Sequence, residues 1–164
     1  MNENCVVVAG GTRARFFTLE EAQWPELESG PNLREINDMI NPEGDMRDKQ
    51  LWSDMKSGRN RGAGGAAHGY DDHRTQHEDE FDRRFARSVA QEAARITRNS
   101  STKNLVLVAQ KRILGILRSE LEPLIKSGIA ISELAKDLTK LAPIELQAHL
   151  AREQLVPERR QPNG

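Results

Sequence analysis

The sequence predicts an α/β fold in which helices flank a mixed sheet. Apolar, β-branched runs at residues 5–9 and 104–109 have the composition of buried strands, and a helical apolar stripe runs through residues 72–98. A tight turn at Gly10-Gly11 leads into strand formers at residues 14–18, which predicts an antiparallel hairpin. The later strand–helix–strand order predicts parallel pairing with right-handed crossovers. The hairpin and the crossovers together predict a mixed sheet, which contains both antiparallel and parallel strand pairs.

The remaining elements follow in chain order. Residues 33–40 are predicted as a third strand, and one helix is predicted after residue 109, ending at Gly128. Residues 129–131 are predicted as a short core strand, and Pro143 suits the first position of the last helix. Residues 155–164 have the composition of a frayed tail. We therefore expect a single domain over residues 1–154.

Bulk composition excludes some classes of protein. The 24 basic and 25 acidic residues nearly cancel, so any nucleic-acid binding must come from local segregation of charge. The single cysteine, Cys5, excludes an internal disulfide and fits a reducing compartment. Residues 1–4 lack the features of a signal peptide, and the apolar runs are too short to cross a bilayer. We expect a cytoplasmic location and no membrane partner.

The most informative segment is residues 41–70, where the apolar periodicity stops. Its glycines predict a long, mobile loop. Lys56, Arg59 and Arg61 are cationic, and no acid lies between Met55 and Tyr70. Glycine lets the backbone approach a ligand closely, and the cations can hold phosphates. The alternative is a solvated, disordered loop without a ligand.

A second group of charges is predicted at one end of the sheet. Since Lys111-Arg112 and Lys136-Asp137 each follow a core strand, they are expected on the side where α/β sheets bind ligands. Arg13 follows the first strand and Arg15 lies two residues further on. The alternative is ordinary surface charge.

Other candidate sites are less well supported. Gly10-Gly11 precedes strand formers, whereas a phosphate-binding loop should open a helix. A cluster at the start of the long helix has metal-binding residue types, but a polar first turn explains it better. Its members are His68, Asp71, Asp72, His73 and His77. No set of residues has the sequence spacing of a catalytic motif, although the members of a catalytic triad can be distant in sequence and meet only in the fold. We expect no metal or other cofactor.

Several separated motifs resemble the bacterial host-attachment protein family. They are Val6 to Arg15, Phe85-Ala86-Arg87, Leu105 to Ala109, Lys136 to Thr139, and Glu145 to Leu150. The resemblance runs from Cys5 to about Ala151, with the motifs in the family's order. One departure is Gly10, where the family is expected to have an acidic residue.

That family is similar in turn to the middle domain of the eukaryotic and archaeal class-one release factor and of Pelota. In the release factor, a Gly-Gly-Gln tip before the long helix enters the peptidyl-transferase centre. Gly64, Gly65 and Ala66 lie at the matching place here. An alanine has no amide to orient a water molecule, so the resemblance argues against peptidyl-tRNA hydrolysis.

The leading hypothesis is therefore a non-catalytic protein that binds the ribosome, transfer RNA or ribosomal RNA. Its predicted contacts are Lys56, Arg59, Arg61, Gly64, Gly65 and Ala66. Two alternatives stay open. The family name implies a protein–protein interaction factor that supports attachment to host cells. The strand ends could instead form a small hydrolase site from Arg13, Arg112 and Asp137.

Overall fold

The computed structural model describes residues 4–41 and 67–162, including the side chains of Glu80 and of residues 82–99 within the long helix. Helices and strands alternate in the second half of the chain. The strands are β1 (Asn4–Ala9), β2 (Arg13–Glu20), β3 (Asn32–Ile40), β4 (Asn104–Ala109) and β5 (Ala130–Ala135). The helices are α1 (Ala67–Asn99), α2 (Lys111–Glu120), α3 (Glu122–Lys126) and α4 (Pro143–Arg152).

The five strands of the described residues form one mixed sheet in the order β3-β2-β1-β4-β5. The hairpin strands β1 and β2 are antiparallel, as are β2 and β3. β1 pairs in parallel with β4, and β4 with β5. The prediction of a mixed α/β sheet flanked by helices is confirmed. Its likeness to a release-factor middle domain stays a prediction.

Each face of the sheet carries its own core. On one face, Val7, Phe16 and Leu107 pack with α1 and α2. On the other, Val6, Phe17 and Val106 pack with α4. Since β1 and β4 are covered on both sides, they have continuous apolar sequences rather than alternating ones. Cys5 belongs to the first core, and burial raises the pKa of its thiol to about 12.

Three predicted boundaries were wrong. α1 begins at Ala67 rather than residue 72, since a long helix tolerates Gly69 at a cost of about 1 kcal/mol. The single helix predicted after residue 109 is two, broken at Leu121 shortly before Pro123, which disfavours helix continuation. β5 continues beyond Ile131 to Ala135, because all six of its residues pair with β4.

The segment that follows α4 is held against the sheet. Gly30 and Arg160 exchange backbone hydrogen bonds of 3.0 and 2.9 Å, and Val156 is buried in the core on the α4 side. The frayed tail predicted for residues 155–164 therefore differs from the structure as far as residue 160. The predicted loop at 41–70 falls almost wholly outside the described residues, except for Asn41 and the first turn of α1.

Candidate nucleic-acid interface

The predicted charges meet at one end of the sheet, where β1, β4 and β5 end and β2 begins. The turn between β1 and β2 is closed by a 2.7 Å hydrogen bond that the Gly10 amide donates to the Arg13 carbonyl. Gly10 is buried here, and a β-carbon on it would lie 3.3 Å from the Thr139 methyl. A side chain at this position would therefore require the Thr139 side chain to shift by a few tenths of an ångström.

Arg13 and Arg15 lie on the α4 side of the sheet, and both are paired. Arg13 makes a two-pronged ion pair with Asp38, which lowers the pKa of that carboxyl. Arg15 is only 6% exposed. Its guanidinium binds Glu35 and also donates to the backbone carbonyls of Thr139 and Leu141. Arg15 therefore connects β2 and β3 to the segment between β5 and α4.

Lys111 and Arg112 lie on the opposite face, at the start of α2. Arg112 forms an ion pair with the buried Asp82 of α1. Lys111 is exposed. The first turn of α2 has no acidic residue, and Gln110 supplies no side-chain cap. This helix end is therefore cationic.

Lys136 and Asp137 follow β5 and bind nearby groups. Lys136 Nζ lies 3.4 Å from Glu153 and 3.3 Å from the His149 ring. One oxygen of Asp137 accepts hydrogen bonds from the amide and the hydroxyl of Thr139. The six sheet-end residues therefore come to one end but not into one constellation. Arg13 and Arg112, proposed together for a hydrolase, pair with different carboxylates on opposite faces.

The structure reveals a cationic feature that the sequence analysis missed, which we call the basic ridge. It consists of Arg84, Arg87, Arg95 and Arg98 of α1. Their spacing of three, eight and three residues places them on one face of the helix. That face is opposite the buried stripe of Phe85, Val89 and Ile96. A search of the sequence for arginines at helical spacing, like the search that identifies an apolar stripe, would have detected this arginine stripe.

Two arginines of the basic ridge are paired, Arg87 with Glu120 of α2 and Arg95 with Glu92, but the segment around the ridge is rich in basic residues. Residues 82–112 contain two acids, Asp82 and Glu92, and eight basic residues. Asp82 is buried against Arg112. Glu92 pairs with Arg95, whose hydrogen bonds lower the pKa of that carboxyl, and it also accepts from Asn37. This outer surface is thus cationic although the whole chain has a net charge of −1.

The predicted loop contacts lie outside the described residues. They are Lys56, Arg59, Arg61, Gly64, Gly65 and Ala66. The backbone around His73 and His77 belongs to α1, but these side chains are also outside the description. Within the described ranges, no group of three metal-ligating side chains occurs. The helices described there include none that is long and apolar enough to span a bilayer.

Comparison with known proteins gives one result that bears on identity. No curated protein matches the chain significantly. A family model described as "Protein required for attachment to host cells" matches residues 5–150. That match covers β1 through nearly all of α4, including both the sheet end and the basic ridge. The chain therefore belongs to the host-attachment protein family.

Proposed function

We propose that this protein is a non-catalytic RNA-binding protein whose partners are the ribosome, transfer RNA or ribosomal RNA. The observation that supports it most is the basic ridge, four arginines on one face of α1. Arginine forks bind phosphate oxygens in a bidentate manner, and such contacts do not depend on nucleotide sequence. A protein of nearly neutral net charge needs positive charge to be concentrated on part of its surface in this way if it is to bind RNA.

The dimensions of the basic ridge suit a nucleic-acid backbone. From Arg84 to Arg98 the helix rises about 21 Å, so several phosphates can lie along it. Gln91 lies on the same face and adds a side chain that can both donate and accept hydrogen bonds. The predicted loop contacts precede α1 in the chain and would extend the same interface.

The test compares two variants of equal charge. The ridge variant changes Arg84, Arg95 and Arg98 to glutamine and leaves Arg87 in place. The control variant changes Lys126, Lys140 and Arg152, three exposed residues elsewhere, to glutamine. Both lower the net charge equally, so a difference between them reports location rather than total charge.

Affinity for transfer RNA is measured across a salt series for both variants and the wild type. Each lost phosphate contact lowers the salt slope by about 0.7, so the ridge variant should lose about 2 units of slope. The control variant should keep the wild-type slope. Equal curves for the ridge variant and wild type would show that α1 is not the RNA contact surface.

A protein–protein interaction role is the second candidate. The family description supports it, as do two exposed isoleucines on the edge strand β3, Ile36 at 41% and Ile40 at 64%. Among the described strands β3 lies at the edge of the sheet, and exposed apolar side chains on an edge strand favour association. If this role holds, changing both isoleucines to aspartate should reduce adhesion of the producing cell to host cells. Adhesion unchanged by these substitutions would count against β3 as the contact.

A further inference from the structure

A groove runs between α1 and α2 on the outside of the protein. Its volume is about 330 Å³, near the lower end of the range of roughly 300–1,000 Å³ for small-molecule sites. Arg83 and Arg87 of α1 and Arg112 of α2 line it. Three arginines around one small groove provide many donors for an anion.

The charges in the groove are only partly balanced. Arg87 donates through Nε to Glu120 at 3.3 Å, and Arg112 pairs with Asp82 beneath it. Among the described residues, Arg83 makes no ion pair. A guanidinium has five N–H donors, so Arg87 keeps donors beyond its single bond to Glu120. Within the part of the chain that the structure describes, the guanidinium of Arg83 is thus the one in the groove that makes no ion pair.

The floor of the groove includes Gly115, in the middle of α2. A glycine inside a helix costs roughly 0.5–1 kcal/mol relative to alanine. Gly115 has neither a positive φ nor, among the described residues, a close neighbour, because a β-carbon built there would meet none of their atoms within 4 Å. Neither backbone conformation nor packing therefore requires glycine at this position. Its effect is to leave the floor of the groove open.

The two ends of the groove differ chemically. Arg112 pairs with Asp82, the residue before Arg83, so the start of α2 faces this turn of α1 at one end of the groove. Arg87 and Glu120 form the other end, which offers donors and an acceptor. Eight residues of α2 separate Arg112 from Glu120, a rise of about 12 Å.

We propose that this groove binds a nucleoside phosphate. The phosphate lies between Arg83 and Arg112, above the backbone of Gly115. The sugar hydroxyls bind Ser119 and Glu120, and the apolar part of the ligand packs on Ile116. The ligand is either a free mononucleotide or the phosphorylated end of an RNA chain. In the second case the inference rests on the proposed RNA-binding function.

The first test uses AMP as the probe and the backbone amide signals of the protein as the readout. AMP should shift the Gly115 amide, while adenosine, which lacks the phosphate, should bind at least about tenfold more weakly. A 5′-phosphorylated RNA hexamer distinguishes the two sources. Much tighter binding than AMP indicates a chain end, and equal binding indicates a free nucleotide. No shift at Gly115 with either probe would overturn the proposal.

The second test fills the groove without removing a charge. Gly115→Leu should weaken AMP binding by about tenfold or more, whereas the matched control Gly115→Ala should change it by less than about threefold. Both should fold, because each replaces glycine with a better helix former. Arg83→Gln, an exposed substitution, should also weaken AMP binding at least about fivefold. Wild-type affinity in both Gly115→Leu and Arg83→Gln would contradict the proposal.

The ridge variant separates this inference from the proposed function. It retains Arg83, Arg87 and Arg112, so it should bind AMP with wild-type affinity while losing affinity for transfer RNA. Conversely, Gly115→Leu should lower the salt slope of transfer-RNA binding by no more than about 1 unit, the share of a single phosphate contact, against about 2 units for the ridge variant. Failure of RNA binding and failure of groove binding are thus observed independently.

Discussion

At the scale of single residues, two arginines on the same face of β2 have different roles. Arg13 and Arg15 are two positions apart, and each makes a two-pronged ion pair with a residue of β3. Arg13 is substantially exposed, whereas Arg15 is buried and also binds two backbone carbonyls. Because both are arginines at the sheet end, both were candidates for a ligand-binding site there. Since Arg15 is buried, we assign it a structural role in holding the fold together.

This difference leads to a prediction about stability. Arg15→Met should lower the free energy of unfolding by about 3 kcal/mol, because it leaves Glu35 and two carbonyls without their partner. The matched change Arg13→Met removes an exposed pair and should cost less than about 1 kcal/mol. Urea unfolding of the two variants measures both values. Equal losses would mean that Arg15 is not the connection we describe.

At the scale of elements, β5 is an edge strand that an ion pair with α2 stabilises. Arg118 of α2 forms a two-pronged ion pair with Glu133 of β5 at 2.7 and 2.5 Å. Hydrogen bonding to Arg118 lowers the pKa of Glu133 below its usual value of 4.5. A lowered folded-state pKa adds stability above the unfolded value, and this stability is lost as the pH falls through the folded value.

We therefore expect the protein to lose stability as the pH falls below the usual glutamate value of 4.5, and Glu133→Gln to lose less stability on the same acidification. Asp38 and Glu92, whose pKa values are also lowered by arginines, account for part of the remainder. Thermal unfolding across this pH range provides the measurement. Glu145→Gln, which changes an exposed carboxyl on α4, serves as the control. A Glu133→Gln profile parallel to wild type would contradict the role of this pair.

The elements that the sequence predicts best are those covered on both faces. β1 and β4 were predicted within one residue, since a strand buried on both sides is apolar throughout. β5 was predicted too short because Ser132 and Glu133 are polar, and its ion pair with Arg118 is invisible in a local window. The basic ridge was missed because periodicity was sought among apolar residues, although the arginines follow the same period.

At the scale of the whole molecule, the sheet divides charges that are alike in sequence. The crossovers bring the ends of β1, β4 and β5 together, and this much follows from strand order. Which face each side chain takes, and which carboxylate meets it, depends on packing between distant elements. Arg15 meets carbonyls more than 120 positions away, a contact that no local pattern predicts. The sequence thus predicted which charged residues lie at the sheet end, but not which ion pairs they form.

The proposed RNA interface has two cationic parts, the basic ridge and the loop cations that precede α1 in the chain. Lys56, Arg59 and Arg61 lie within six positions, and no acid lies between Met55 and Tyr70. Changing all three to alanine should lower the salt slope of transfer-RNA binding by about 2–3 units, with a change in stability within about 0.5 kcal/mol. If loop and ridge contact the same RNA at separate phosphates, combining both sets of substitutions should add their slope losses. A combined loss no larger than that of the ridge variant alone would remove the loop cations from the interface and leave α1 as the contact surface.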